Sequence, residues 1–389
     1  MSQSAPGPAG FALFSLGFRP FYLLASVFSA FSVMLWMAQA TGWLPYAYLR
    51  GPMWHGHEML FGYALAVIAG FLLTAVRVWT GQPTPSGAPL MALAALWVLG
   101  RVLVLTPLAL SAAVVNAAFP LALAVAIGIP LLRARNVRNY FFIGLLVLMS
   151  ALVLALHLAL LGIIALPPRL GLLLGLDVVL FVMAVMGGRV IPMFTNGGVP
   201  GAGATRHPLV EKLALGCVLL LFVADVLPIA PAIVAAIALS GAITHGVRLG
   251  LWRSWRTCRV PLVWILHAAY AWIVVYLALR ALAAMGWIAQ SFAIHALTVG
   301  AIGGLTLGMM TRTARGHTAR PLAADGFELT CFVLIQLAAL VRVFTGLVAP
   351  ELYLVSVQLS GLLWAAAFGI FAIRYWPVLT RPRLDGKPG

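Results

Sequence analysis

Long apolar runs separated by short polar links repeat along the whole chain, at about 15–40, 55–76, 88–106, 108–132, 139–165, 170–194, 208–227, 229–251, 260–284, 290–312, 326–348 and 352–377. A hydrocarbon core of about 30 Å takes roughly 20 apolar residues in helical form. Only helices and closed barrels satisfy the backbone in lipid, and the runs lack the alternation of barrel strands of about ten residues. The pattern predicts an all-α, polytopic integral membrane bundle of about twelve transmembrane helices. The narrowest divisions, at Thr106-Pro107 and Leu227-Pro228-Ile229-Ala230-Pro231, must be tight hairpins for that count to hold. No soluble domain, low-complexity segment or internal repeat intervenes. The chain reads as a single transmembrane domain over 1–389, with short tails at about 1–14 and 378–389. Met1 to Gly17 lacks the basic start, apolar core and small-residue site of a cleavable signal, so the first run is expected to stay in the protein.

Composition agrees: of 389 residues, 63% are hydrophobic and 8% charged, with a mean hydropathy of +1.07. A net charge of +16 would suit a nucleic-acid binder, but the basic residues sit at the ends of apolar runs, with no soluble basic domain to present them. The bilayer is the expected partner, and nucleic acid is not. Alternate links hold Arg77; Arg133, Arg135 and Arg138; Arg206 and Lys212; Arg248, Arg253, Arg256 and Arg259; Arg312, Arg315 and Arg320; and Arg381, Arg383 and Lys387. The opposite links hold little beyond Arg50, Arg169 and Arg280. The bias of Lys and Arg toward cytoplasmic loops puts both termini in the cytoplasm. Cys217 and Cys331 lie inside runs and Cys258 in a link, with no CxxC, so nothing in the sequence supports a thiolate cluster or c-type haem attachment. A bound metal would depend on histidine, with Met or carboxylate beside it.

Ionisable groups at membrane depth cost roughly 2.5–3.5 kcal/mol each on insertion scales, so those present need a partner or a ligand. Met53-Trp54-His55-Gly56-His57-Glu58 stands at the mouth of the second run. The predicted orientation puts His55, His57 and His295 at one outer depth, with His157 within a turn or two; His267 and His245 lie on the inner side, near His207 and His317. Two residues apart on a helix, His55 and His57 point roughly 200° from each other; were Gly56 to start the segment extended, both would converge on one ion. Glu58 is placed to orient an imidazole through its second nitrogen. The plainer alternatives are a His57-Glu58 pair facing water and ordinary packing for His157, His207 and His245. In the tenth run, Gly300, Gly304 and Gly308 strip one helix face ahead of Met309-Met310-Thr311-Arg312. That face suits close packing of another helix, or a flat macrocycle with His295 as its axial ligand. Arg101, Arg342 and Arg50 match the depth of His55 and His295 and would meet propionates, with snorkelling the alternative for Arg101 and Arg342. On the inner side, Arg189, Met193, Asn196 and His267, with the link Arg315-Gly316-His317-Thr318, form a candidate polar pocket; Arg189 or Asn196 would otherwise satisfy carbonyls freed at Pro192. Asp177 and Asp225 are the only carboxylates well inside runs, and no acidic chain for proton coupling is evident.

Three ordered motifs carry a resemblance. Trp54-His55-Gly56-His57-Glu58-Met59 comes first, then Gly188-Arg189-Val190-Ile191-Pro192-Met193-Phe194-Thr195-Asn196. The third is His295-Ala296-Leu297-Thr298-Val299-Gly300-Ala301 through Met309-Met310-Thr311-Arg312 and Gly316-His317-Thr318. Together they resemble the NnrS family, from about Phe18 to the last run; Ala319, before Arg320-Pro321, stands where glycine is expected. The resemblance implies a twelve-span protein of the bacterial inner membrane that contains haem and copper and is associated with nitric oxide and nitrosative stress. On depth, a haem b would be held by His295 and one of His55 or His57, with Arg101, Arg342 or Arg50 near its propionates. Copper would use the remaining outer histidine, or His267 and His317 with Met193 or Met309. The function implied is to bind or respond to nitric oxide, and redox activity toward it stays open because no electron donor is evident. The alternative is a transporter for a metal, haem or small metabolite along Arg189, Asn196 and His267.

Overall fold

In the computed structural model, which describes residues 10–40 and 48–387, every one of those runs is helical and no strand occurs among the described residues. Positions 1–9 of the expected amino-terminal tail lie outside the described residues. The helices are α1 (Phe18–Ala40), α2 (Gly51–Thr80), α3 (Ala88–Leu103), α4 (Ala109–Arg133), α5 (Val137–Leu160) and α6 (Pro168–Gly198). They continue as α7 (Pro208–Val226), α8 (Pro231–Leu251), α9 (Pro261–Ala284), and α10 (Gln290–His317), α11 (Gly326–Val348) and α12 (Pro350–Thr380). Ten of them are long and apolar enough to cross a membrane. The other two are α3, with 16 residues, and α7, with 19 residues that include Glu211, Lys212 and Asp225. The chain is a multi-pass membrane protein.

The boundaries follow from local chemistry. Proline opens α6, α7, α8 and α9, where its fixed φ suits the first turn and its missing N–H costs nothing. Both narrow divisions are turns, at 104–108 and 227–230. Asp325 caps α11 in a reciprocal box with Glu328, accepting from Phe327 N at 2.9 Å while Glu328 accepts from Asp325 N at 2.7 Å. Pro120, Pro130, Pro192 and Pro377 sit inside helices, as membrane helices tolerate.

The described residues form two compact units. One draws on Met1–Gly175, Arg312–Pro321 and Phe371–Gly389, the other on Leu176–Thr311 and Leu322–Ile370. In the first, α1 lies close on α2 where Gly70 meets Tyr22 and Phe21, and the buried Arg19 donates to the carbonyls of Leu379 and Arg381 at 3.0 and 2.7 Å. In the second, the glycine face of α10 is filled by α9. A Cβ on Gly300 would stand 2.3 Å from Trp272, one on Gly304 2.6 Å from Ala269, and one on Gly308 2.9 Å from Leu266. The helix-packing reading of that face is the one adopted, and side chains of α9 occupy the space a flat macrocycle would need there.

Two arginines read from the sequence as loop charges are inside helices. Arg248 is fully buried in α8, bonded to Glu211 at 3.1 and 2.9 Å, to the Tyr270 hydroxyl at 2.5 Å and to the Ala184 carbonyl at 3.0 Å. Arg280, buried in α9, donates to both carboxylate oxygens of Asp225 at 2.5 Å. Their partners are distant in sequence, so hydropathy alone reads each as a helix end.

Ala319 has φ of 59°, the left-handed region that costs an L residue roughly 1–2 kcal/mol and glycine almost nothing. Ala319→Gly should stabilise the protein by about 0.5–1 kcal/mol after glycine's greater unfolded-state entropy is subtracted. Thermal unfolding in detergent checks this, and a lowered Tm would contradict it.

Candidate functional site

The first turns of α2 are α-helical through His57, and from Glu58 to Ala64 the helix widens to π form. His55 and His57 therefore diverge. His55 stacks on Trp36, ring centroids 4.5 Å apart, whereas His57 is fully buried. Neighbouring side chains on a regular helix do not face each other. Here the π turn begins at Glu58, and its carboxylate meets His57 Nδ1 at 2.7 Å. Arg101, from α3, closes on the same Glu58 oxygen at 2.5 Å and bonds the Asn116 side chain of α4. Gly62 makes room for it, since a Cβ there would lie 2.7 Å from Arg101 Nη1. Trp97 Nε1 donates to the Gly62 carbonyl at 3.0 Å, and the guanidinium lies over the Trp97 and Phe28 rings.

The other side of His57 holds the residue that sequence reasoning left as ordinary packing. His157, fully buried on α5, puts Nε2 at 3.1 Å from His57 Nε2, and its Nδ1 bonds the Tyr48 hydroxyl. Tyr48 lies in the link before α2, and burial pushes its phenol up to about 12, so it keeps its proton at neutral pH. The proton assignments follow in order. With Glu58 ionised against Arg101, its carboxylate accepts from His57 Nδ1–H and leaves a lone pair on His57 Nε2; His157 Nε2–H then donates to that lone pair, and Tyr48 O–H donates to His157 Nδ1. A phenol both donates and accepts, so Tyr48 also supports the other His157 tautomer, in which both Nε2 atoms carry lone pairs. Two imidazoles with braced Nδ1 atoms and facing Nε2 atoms have the form of metal-ligating histidines with their outer-shell partners in place.

In the second unit, His295 ends the α-helical start of α10 and is followed by a π stretch, Ala296–Gly303. Its Nδ1–H donates to the Ser291 carbonyl at 2.6 Å, so Nε2 carries the lone pair. Arg342 lies in a third π stretch, Val341–Thr345, and donates to the Tyr353 hydroxyl at 3.3 Å. Tyr353, Trp287, Phe292 and Gly346 line a cavity of about 370 Å³. π turns are rare, well under 1% of residues, and gather at functional sites. All three here start beside, or contain, a residue singled out by its charge at membrane depth.

The other candidate residues have separate partners. His267 bonds the Thr195 hydroxyl at 2.8 Å. Asn196 is engaged by the following loop, exchanging bonds with Ala204 N and O at 2.8 and 2.9 Å. Met193 is 56% exposed, and Arg189 and Met309 are half-buried. His317, in the first unit, packs its ring against Phe18, and Arg50 is exposed in the link before α2. His245 bonds Tyr270 at 2.6 Å within the Arg248 network.

No group of three or more His, Cys, Asp or Glu among the described residues is arranged around one metal position. The donor chemistry still fits copper at His57 and His157. Metal–imidazole bonds of about 2 Å place two donors on one ion at most about 4 Å apart, and these stand 3.1 Å apart. For a haem, the His295 tautomer fits an axial ligand, while the filled Gly300 face does not accommodate the ring. Among known proteins, the family model described as NnrS protein matches residues 12–383. No curated protein matches the chain.

Proposed function

The chain belongs to the NnrS family, and on that basis we propose that it is a haem- and copper-binding protein of the bacterial inner membrane, with both termini cytoplasmic, that binds nitric oxide and contributes to nitrosative-stress tolerance. The observation that carries this reading is the His57–His157 imidazole pair, fully buried and braced at both outer nitrogens. His57 and His157 would hold copper through Nε2. Copper there would supply a one-electron, Lewis-acidic centre with coordination positions left for a small ligand, and imidazole donors suit it. Glu58 and Tyr48 keep the two rings oriented, Arg101 balances the Glu58 charge, and Phe61 and Trp97 keep water away from a site with almost no exposed atom. His295 would be the axial ligand of a haem b through Nε2, with Arg342 of the same unit near its propionates. The site's own residues hold protons at His57 Nδ1 and Tyr48 Oη, so freeing both Nε2 lone pairs requires the His157 proton to shift from Nε2 to Nδ1 and the Tyr48 hydroxyl to turn so that its oxygen accepts from Nδ1–H.

Detergent-purified protein should carry haem, and adding nitric oxide to the reduced protein should shift its Soret band; His295→Ala should abolish that band. Cofactor-free protein that instead moves a solute into vesicles would overturn the reading in favour of a transporter. A normal haem spectrum in His295→Ala would remove that residue as a ligand.

A further inference from the structure

Independently of the cofactors, the second unit buries two acidic groups with one base. Asp177 comes from α6, Asp225 from α7, and Tyr276 and Arg280 from α9. Arg280 is fully engaged on one side: Nη2 donates to both Asp225 oxygens at 2.5 Å, and Nη1 donates to Tyr276 at 2.9 Å. Asp177 is 1% exposed, and neither of its carboxyl oxygens has a hydrogen-bond partner among the described residues. The charged groups facing it are Asp225 and Arg280, with the neutral Tyr276 phenol alongside.

Charge counting shows what this arrangement lacks. With both aspartates ionised, two negative charges face one guanidinium, and a net negative charge is left in an apolar interior where charge is poorly solvated. Asp225, with both oxygens bonded to the cation, is the member that stays a carboxylate. Two neighbouring carboxyl groups that cannot both ionise share one proton. We propose that the Asp177–Asp225 pair is a proton-binding site, with the proton carried on Asp177 and Arg280 neutralising Asp225. Loading converts Asp177 carboxylate and a hydronium ion to the carboxylic acid and water; unloading is the reverse. The unit thereby has one position at which a membrane process would take up or release a single proton. The sequence shows the two aspartates but not their proximity, because 48 positions separate them and they lie on two different helices, α6 and α7.

Infrared difference spectra of the full-length protein in lipid vesicles test this directly. A carboxylic-acid C=O band should be present at neutral pH, move to lower frequency in D2O, and vanish in Asp177→Asn, whose neutral amide should leave the Tm unchanged. If that variant does not fold, Asp177→Glu should keep the band at a displaced frequency. The proposal fails if the Asp177-dependent band is absent, if folded Asp177→Asn has a lowered Tm, if the band keeps its frequency in Asp177→Glu, or if sodium ions raise the Tm of the wild type but not of Asp177→Asn, which would make the site a cation site.

Discussion

Replacing Arg101 with methionine should destabilise the protein by about 3–5 kcal/mol, the cost of leaving one member of a buried ion pair without its partner. Glu58 has no exposed surface, and among the described residues Arg101 supplies its positively charged partner, at 2.5 Å. Methionine keeps most of the side-chain volume and its contacts with Trp97 and Phe28 but removes the charge and the bond to Asn116. Expression and thermal unfolding should both fall sharply. Adding Glu58→Gln should recover most of the stability, since the carboxylate that needed the guanidinium is gone. A single Arg101→Met variant as stable as wild type would mean that Glu58 is not held as a carboxylate there, and the proton order assigned from Tyr48 to Glu58 would fall with it.

The second large effect is on metal. His157→Ala or His57→Ala should abolish stoichiometric copper binding, because these two imidazoles are the donors brought together there among the described residues and one imidazole alone retains an ion poorly. Tyr48→Phe, which removes only the hydroxyl behind His157, should weaken copper about 10–100-fold, the range for losing an outer-shell partner. Copper titration of the purified variants checks the graded order. Equal affinity in Tyr48→Phe and wild type would mean that the hydroxyl does not orient the ring.

The positions of the helices were largely legible in the sequence, because a bilayer demands a run of apolar residues of nearly fixed length and proline marks where α6 to α9 begin. The importance of His57-Glu58 was also legible, since charge at the mouth of a span needs a reason. His157 was not: it stands alone in an apolar run, and what pairs it with His57 is α5 packing against α2 across 100 positions. Tyr48 carried no signal, being one aromatic in a short link. The π turns escaped as well, since nothing in the order Glu58 to Ala64 distinguishes an extra residue per turn from a regular helix. Nor did the links mark the two units, which interleave along the chain. The buried Arg248 and Arg280 show why counting charges does not read burial: a basic residue near a helix end looks like a loop charge until its distant carboxylate is found.

His57 and His157 are proposed to grip one copper ion between their Nε2 atoms. X-ray absorption at the copper edge of the purified wild type, compared with His157→Ala and with His245→Ala as a histidine outside the pair, tests it most directly. The account predicts scattering from two imidazole ligands in wild type and in His245→Ala, and loss of that copper in His157→Ala. Copper retained in His157→Ala with an unchanged spectrum would contradict it.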